Sequence, residues 1–168
     1  MSARRDSPWL ALSVLTAIST VGFIDLFLAF DQTSSGTGPR EFKLAYSTNG
    51  TTFSDFQNYS VLEMGASPNG DWNATTRIPA YGFLFDLSSI AAIENTATVY
   101  FRLIDRSAVS ANGGTVAATG TDRVDNVLVT GTAIGAPVPE SGRALGYLLA
   151  TFGAIRVLDA SARNKQKC

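Results

Sequence analysis

The sequence predicts an all-β domain, an antiparallel β-sandwich of jelly-roll type, followed by a C-terminal hydrophobic helix. Short runs rich in aromatic and β-branched residues recur through the middle of the chain and are separated by Gly, Asn, Ser or Pro. Within these runs apolar residues alternate with period two, as in Phe42, Leu44 and Tyr46. The chain has 168 residues, 45% of them hydrophobic and ten of them Phe, which is enough for one packed core.

Six strands follow from this pattern, in the order 21–30, 41–47, 59–62, 81–86, 97–104 and 123–131. Asn49-Gly50 predicts a hairpin turn after the second strand, because both residues tolerate a positive φ. A short helical turn is expected at 88–93. Alternation assigns one shared core face to eight residues, namely Phe42, Leu44, Tyr46, Val99, Phe101, Leu103, Val124 and Leu128.

The N-terminal residues 1–20 lie outside this sandwich, which we assign to 21–136. Arg4 and Arg5 precede an apolar stretch at 9–21, the order found in a secretory signal peptide. Ala17-Ile18-Ser19 provides a small-x-small cleavage site. Residues 1–20 are therefore interpreted either as a signal peptide or as a leftover N-terminal segment.

The C-terminal residues 137–168 form a separate unit. Two prolines hold the segment Pro137-Val138-Pro139-Glu140-Ser141-Gly142 extended. Residues 144–155 follow without a charge, and the chain ends in a basic tail containing Arg163, Lys165 and Lys167. The apolar run suits a membrane-spanning helix with a cytoplasmic basic end, or equally an amphipathic helix packed on the domain.

Composition excludes several classes of function. The chain has no His, so Ser-His-Asp, Cys-His and His-zinc chemistries cannot be built from its residues. Its one Cys cannot form an internal disulfide. Residues 20–136 carry six basic groups against eleven acidic ones, a charge of -5, which argues against nucleic-acid binding.

Four pieces of sequence resemble the PEP-CTERM sorting domain proteins, in the VPDSG-type variant. Residues 35–53 (SGTGPREFKLAYSTNGTTF), 99–103 (VYFRL) and 121–131 (TDRVDNVLVTG) resemble strands of secreted bacterial jelly-roll domains. Residues 137–142 (PVPESG) resemble the opening of the sorting signal. The order of these pieces carries the resemblance, although the family motif usually has Pro where this chain has Ser141.

The resemblance implies export of a protein that is first anchored transiently in the inner membrane. An exosortase-type membrane protease would then process the motif and release the domain to the cell surface or an extracellular polymer layer. Members of the family have a longer N-terminal region with additional strands. By this resemblance, the sandwich of the present chain is expected to be N-terminally truncated.

Two ligand sites are considered from residue types alone. Asp122 and Asp125, with Asn126, form the densest group of oxygen donors, which suits a calcium ion; the alternative is that Asp125 and Asn126 satisfy local backbone groups. Trp72 lies in a polar loop and is either a platform for sugar rings or a lid on the core.

The primary interpretation is therefore a non-enzymatic exported β-sandwich without a required cofactor. The alternative is a carbohydrate-binding module, free or cut from a secreted hydrolase, with extracellular polysaccharide as its partner. A third interpretation is a soluble cytoplasmic domain with a packed C-terminal helix.

Overall fold

The computed structural model describes residues 13–73 and 76–135, and in this part of the chain the protein is all-β. Seven strands form two antiparallel sheets, consistent with a β-sandwich. The strands are β1 (Ser13–Ile18), β2 (Phe23–Ser34), β3 (Glu41–Ser47), β4 (Ser54–Ser60), β5 (Gly82–Asp86), β6 (Val99–Asp105) and β7 (Asp122–Ala133). Two short 3-10 turns, Pro79–Tyr81 and Ala91–Ile93, flank β5. The predicted C-terminal helix falls outside the described residues.

One sheet has four strands in the order β1-β6-β3-β4, and the other has three in the order β5-β2-β7. Every strand pair is antiparallel. The longest pairing joins β2 to β7, with Phe23 opposite Ala133 at one end and Ser34 opposite Asp122 at the other. This pairing determines which polar residues of the two strands meet.

The hydrophobic core lies between the two sheets. Leu28 and Phe30 of β2 and Phe85 of β5 contribute from one sheet, while Phe42 and Phe101 contribute from the other. Aromatic rings from the two sheets contact each other. The rings of Phe30 and Tyr59 of β4 pack edge to face, with their centroids 5.9 Å apart. Edge-to-face pairs of this kind contribute beyond the area that they bury.

The predicted strands are recovered with shifted ends, except for 41–47, which coincides with β3. The run at 59–62 overlaps β4 only at Tyr59 and Ser60, because β4 begins at Ser54 and ends before Val61. The helical turn expected at 88–93 is the shorter 3-10 turn Ala91–Ile93. The segment 1–20, left out of the predicted sandwich, supplies β1, which pairs with β6 over six residues.

The prediction for the inner face of the last strand is only partly right. Asn126 has a φ of 53°, and the register between β2 and β7 shifts at this point. This bulge inserts one residue and reverses the alternation beyond it. Val124 packs against the core as expected, but Val127 and Val129 do so in place of Leu128. The other six predicted core residues pack in the core or against it.

The glycines of the SGTGP segment allow two loops to approach closely. A Cβ atom placed on Gly38 would lie 2.2 Å from the carbonyl oxygen of Thr121. The amide of Gly38 donates to the carbonyl of Ser35, and the Ser35 amide donates to Thr121. The loop after β2 is thus packed backbone to backbone against the residue that precedes β7.

Gly38→Ala is expected to destabilise the domain by about 1 to 3 kcal/mol, the usual range for overpacking against atoms that cannot move freely. Gly70→Ala is the matched control, because its added Cβ would meet its nearest neighbour at an ordinary 3.6 Å. Urea unfolding of both full-length variants measures the difference. Equal stability of the two variants would show that the loops separate without cost.

Candidate functional site

The site residues predicted from sequence divide between described and undescribed parts of the chain. The sorting motif at 137–142 and the basic tail residues Arg163, Lys165 and Lys167 lie outside the described residues. Asp122, Asp125 and Trp72 lie inside them. Among residues 13–73 and 76–135, no helix has the length and apolar character needed to cross a membrane.

Asp122 belongs to a polar cluster inside the sandwich, which we call the interior cluster and define as Gln32, Tyr59, Asp105 and Asp122. The Tyr59 hydroxyl donates to the Gln32 side-chain oxygen at 2.8 Å, and Gln32 Nε2 donates to Asp122 Oδ2 at 3.2 Å. The other oxygen, Asp122 Oδ1, is buried and has no hydrogen-bond partner among the described residues. Gln32 therefore holds the carboxyl group through one oxygen only.

Burial has a strong effect on the protonation of this cluster. Burial is the main cause that raises the pKa of Asp122 to about 6; the hydrogen bond from Gln32 opposes this shift, and the nearby charge of Asp105 contributes to it. Burial also raises the pKa of Asp105, although the backbone amide of Ser107 partly offsets this effect. Burial raises the pKa of the Tyr59 hydroxyl as well, so this group stays neutral. The interior cluster thus favours a protonated carboxyl group in mildly acidic solution.

A second polar cluster lies at the bulge of β7, and we call it the bulge cluster, comprising Asp31, Arg77 and Asn126. Asp31 Oδ1 accepts from Arg77 Nε at 2.8 Å, and Asp31 Oδ2 accepts from Asn126 Nδ2 at 2.7 Å. The Asp31 side chain is only 3% exposed, whereas that of Arg77 is 56% exposed. Because both carboxylate oxygens have partners, the cluster fastens the long loop before β5 to the bulge.

Asp122 and Asp125, predicted as calcium ligands, have different partners. Asp122 meets Gln32 in the interior, while Asp125 Oδ1 accepts the backbone amide of Asn126 at 2.7 Å. The latter contact is the local hydrogen bond that the alternative interpretation expects of Asp125. Within the described ranges, no group of three Asp, Glu, His or Cys residues is placed to hold a metal ion.

Trp72 contacts the side chain of Tyr81, with ring centroids 6.1 Å apart. Tyr81 is buried, and its hydroxyl donates to the carbonyl oxygen of Gly70. The amide of Gly65 in turn donates to this hydroxyl at 3.3 Å. Trp72 is half-buried beside Tyr81, which favours its interpretation as a lid on the core over an open platform for sugar rings.

A pocket between the two sheets is lined almost entirely by apolar side chains. It contains no carboxylate, and the polar residue that lines it is a threonine. The lining residues are Thr16, Leu28, Phe30, Phe101, Leu103 and Val127.

Sequence reasoning missed Asp31, Gln32, Arg77 and Asp105. The signal that was available is the Asp31-Gln32 pair at the end of an apolar strand. By alternation Gln32 falls on the same face as Leu28 and Phe30, a position where a polar side chain requires a partner.

We compared the chain with protein-family models, with curated proteins and with solved structures, and nothing in the three comparisons matches it.

Proposed function

We propose that this chain is an exported, non-enzymatic β-sandwich of jelly-roll type that is sorted to the cell surface by its C-terminal segment. The observation that carries the proposal is the position of the motif in the chain. β7 ends at Ala133, and the motif Pro137–Gly142 begins four residues later. A membrane-embedded protease would therefore act only a few residues beyond the last strand of a folded domain.

The order of residue types along the C-terminal tail supports the proposal. A proline-containing motif comes first, an uncharged segment at 144–155 second, and a basic end third. Lys and Arg at the bilayer centre cost roughly 2.5 to 3.5 kcal/mol each on insertion scales, so the basic end would stay on the cytoplasmic side. The inner membrane would hold the precursor until an exosortase-type protease acts.

The polar clusters of the sandwich support a structural rather than a chemical role. Both oxygens of Asp31 are occupied by Arg77 and Asn126. The interior cluster lies between the sheets, and Asp105 is only 4% exposed. A polymeric substrate cannot reach carboxyl groups in this position without opening the sandwich.

Glu140→Ala and Pro139→Ala are expected to accumulate a membrane-bound precursor in a host that has the protease. The wild-type chain should give this precursor and a shorter soluble product, because cleavage at the motif removes the tail. Immunoblots of membrane and soluble fractions measure the ratio of the two species. Glu63→Ala, which removes a carboxylate outside the motif, should process like the wild type.

A wild-type chain found only at full length and only in the soluble fraction would contradict the sorting function. Binding of purified domain to polysaccharide, lost in Trp72→Ala, would instead support the carbohydrate-binding module. The contact between Trp72 and Tyr81 predicts that this binding is absent.

A further inference from the structure

The outer surface of the three-stranded sheet carries a continuous row of apolar residues. Leu84 of β5 pairs with Ala29 of β2, and Ala29 pairs with Leu128 of β7. Phe27 lies in the next outward row, opposite Asp86 and Thr130. We call this surface, formed by Phe27, Ala29, Leu84 and Leu128, the outer apolar face.

These side chains point away from the core because their neighbours along each strand point into it. Leu26 and Leu28 flank Phe27 and are buried, and Val127 and Val129 flank Leu128 and pack on the core. Leu84 is 69% exposed. Phe27, Ala29 and Leu128 are half-buried beside it. Single exposed apolar residues are ordinary, but a contiguous apolar row across three strands is typical of an interaction surface.

The chain leaves the sandwich beside this face. β7 is an edge strand of the same sheet, and it ends at Ala133 opposite Phe23. Residues 136–143 then provide eight positions before the uncharged segment. Eight extended residues span about 26 to 29 Å, whereas three strands are only about 10 Å wide, so the segment can reach across the sheet.

We propose that the uncharged segment 144–155 covers the outer apolar face while the chain is in water. The segment has twelve residues without a charge, including leucine, isoleucine, tyrosine and phenylalanine. If it were helical it would be about 18 Å long, which matches the length of a strand of five to six residues. This proposal goes beyond the sorting function and does not depend on processing of the motif.

The acidic residues at one end of the sheet favour docking of the C-terminal segment, which continues into a basic tail, over docking of a second acidic domain. Asp25 and Asp86 are exposed at the end of the sheet where β7 leaves, and Glu94 is held there by the backbone amide of Asp25. The chain after residue 155 is basic, with four Lys or Arg residues against Asp159. A second copy would instead bring its own acidic groups to the same rim.

Segment 144–155 would then have two alternative binding sites, the outer apolar face and the lipid bilayer. In water it shields the outer apolar face, and at a membrane it transfers to the bilayer. The precursor would then remain dispersed until it reaches the membrane, because this uncharged segment is covered.

Photo-crosslinking of the full chain tests the contact directly. A benzophenone amino acid in place of Leu84 should crosslink within the same molecule to peptides from 144–155, as read by mass spectrometry. The same probe in place of Leu62, which is 44% exposed elsewhere on the domain, should not reach these peptides. Crosslinks between molecules would overturn the proposal in favour of a second copy, and absence of any crosslink at position 84 would also overturn it.

Trypsin provides a second measurement that does not require a probe. Cleavage after Arg156 should be slow in the wild type and about tenfold faster in Leu84→Asp, because the segment must leave the face to be cut. Leu62→Asp should cleave at the wild-type rate. Equal rates in wild type and Leu84→Asp would overturn the proposal.

Lipid vesicles separate this proposal from the sorting function. Loss of the crosslink at position 84 when the chain floats with anionic vesicles supports transfer of the segment. A chain that keeps the crosslink and never floats would retain the docked segment while contradicting the membrane anchor.

Discussion

Phe101→Ala is expected to destabilise the domain by about 3 to 5 kcal/mol, the range measured for removal of a buried phenylalanine ring. Phe101 is 3% exposed at the centre of β6, between β1 and β3. Its neighbours Leu28 and Phe30 come from the opposite sheet and are held by their own strand pairings. The surroundings therefore cannot collapse fully into the space that the ring leaves.

Urea unfolding of the full chain, followed by tryptophan fluorescence and circular dichroism, measures this loss. Leu62→Ala is the control, because a side chain that is 44% exposed gives up less burial and leaves no closed cavity. A loss below about 1 kcal/mol for Phe101→Ala would place the ring outside the core and invalidate the register of β6.

The inner faces of β3 and β6 could be predicted because alternation in these strands is uninterrupted. Phe42 and Leu44 face the core, as do Val99 and Phe101, and period two is sufficient to assign them. In β7 the same rule fails at Asn126, where the backbone adopts a positive φ. A bulge needs one such residue and leaves little signature in hydrophobicity, so alternation predicts Leu128 in the core where the structure has Val127 and Val129.

The interior cluster could be predicted only in part, because its members are far apart in the sequence. Sequence singles out Asp122 by its residue type, but the group that determines its environment lies 90 residues away at Gln32. Tyr59 reaches Gln32 across 27 residues from the other sheet. Contacts of this range follow from strand order, which alternation does not supply.

β1 shows that composition alone does not distinguish a signal peptide from a strand near the N-terminus. An apolar run after two arginines has the same pattern whether it is a signal peptide or a strand. In the structure Ser13–Ile18 pairs with β6, and Thr20 is buried with its hydroxyl donating to the carbonyl oxygen of Ile93 at 2.6 Å. Cleavage after Ser19 would leave Thr20 in place but would expose the edge of β6.

The stability of the domain is expected to fall as pH rises from about 4 to about 7, because of Asp122. Its pKa is raised from the ordinary value of 3.8 to about 6 in the folded chain. Below pH 3.8 the carboxyl group is protonated in both states and contributes no pH dependence. Between the two values the unfolded chain loses the proton while the folded chain keeps it, so folding becomes progressively less favourable.

The difference between these two pKa values corresponds to about 3 kcal/mol, which is lost in full above the folded value. Asp105 acts in the same direction, since burial raises its pKa too. Glu41 acts in the opposite direction at lower pH, because hydrogen bonds from Ser60 and Arg40 lower its pKa. Measurements from pH 5 to pH 8 therefore isolate the buried acids, and about half of the Asp122 effect falls in that range.

Asp122→Asn should remove most of this slope and raise the free energy of unfolding at pH 8 by about 2 to 3 kcal/mol, because the amide is never charged. The neutral amide can still accept the hydrogen bond from Gln32 that Asp122 Oδ2 accepts in the wild type. Asp125→Asn changes the same chemistry three positions along β7, where the carboxylate contacts only the neighbouring backbone amide in the described hydrogen bonds, and should keep the wild-type slope. Urea titrations of the three proteins across the pH range measure these differences in the free energy of unfolding. A wild-type chain that is equally stable at pH 5 and pH 8 would mean that Asp122 is solvated rather than enclosed between the sheets.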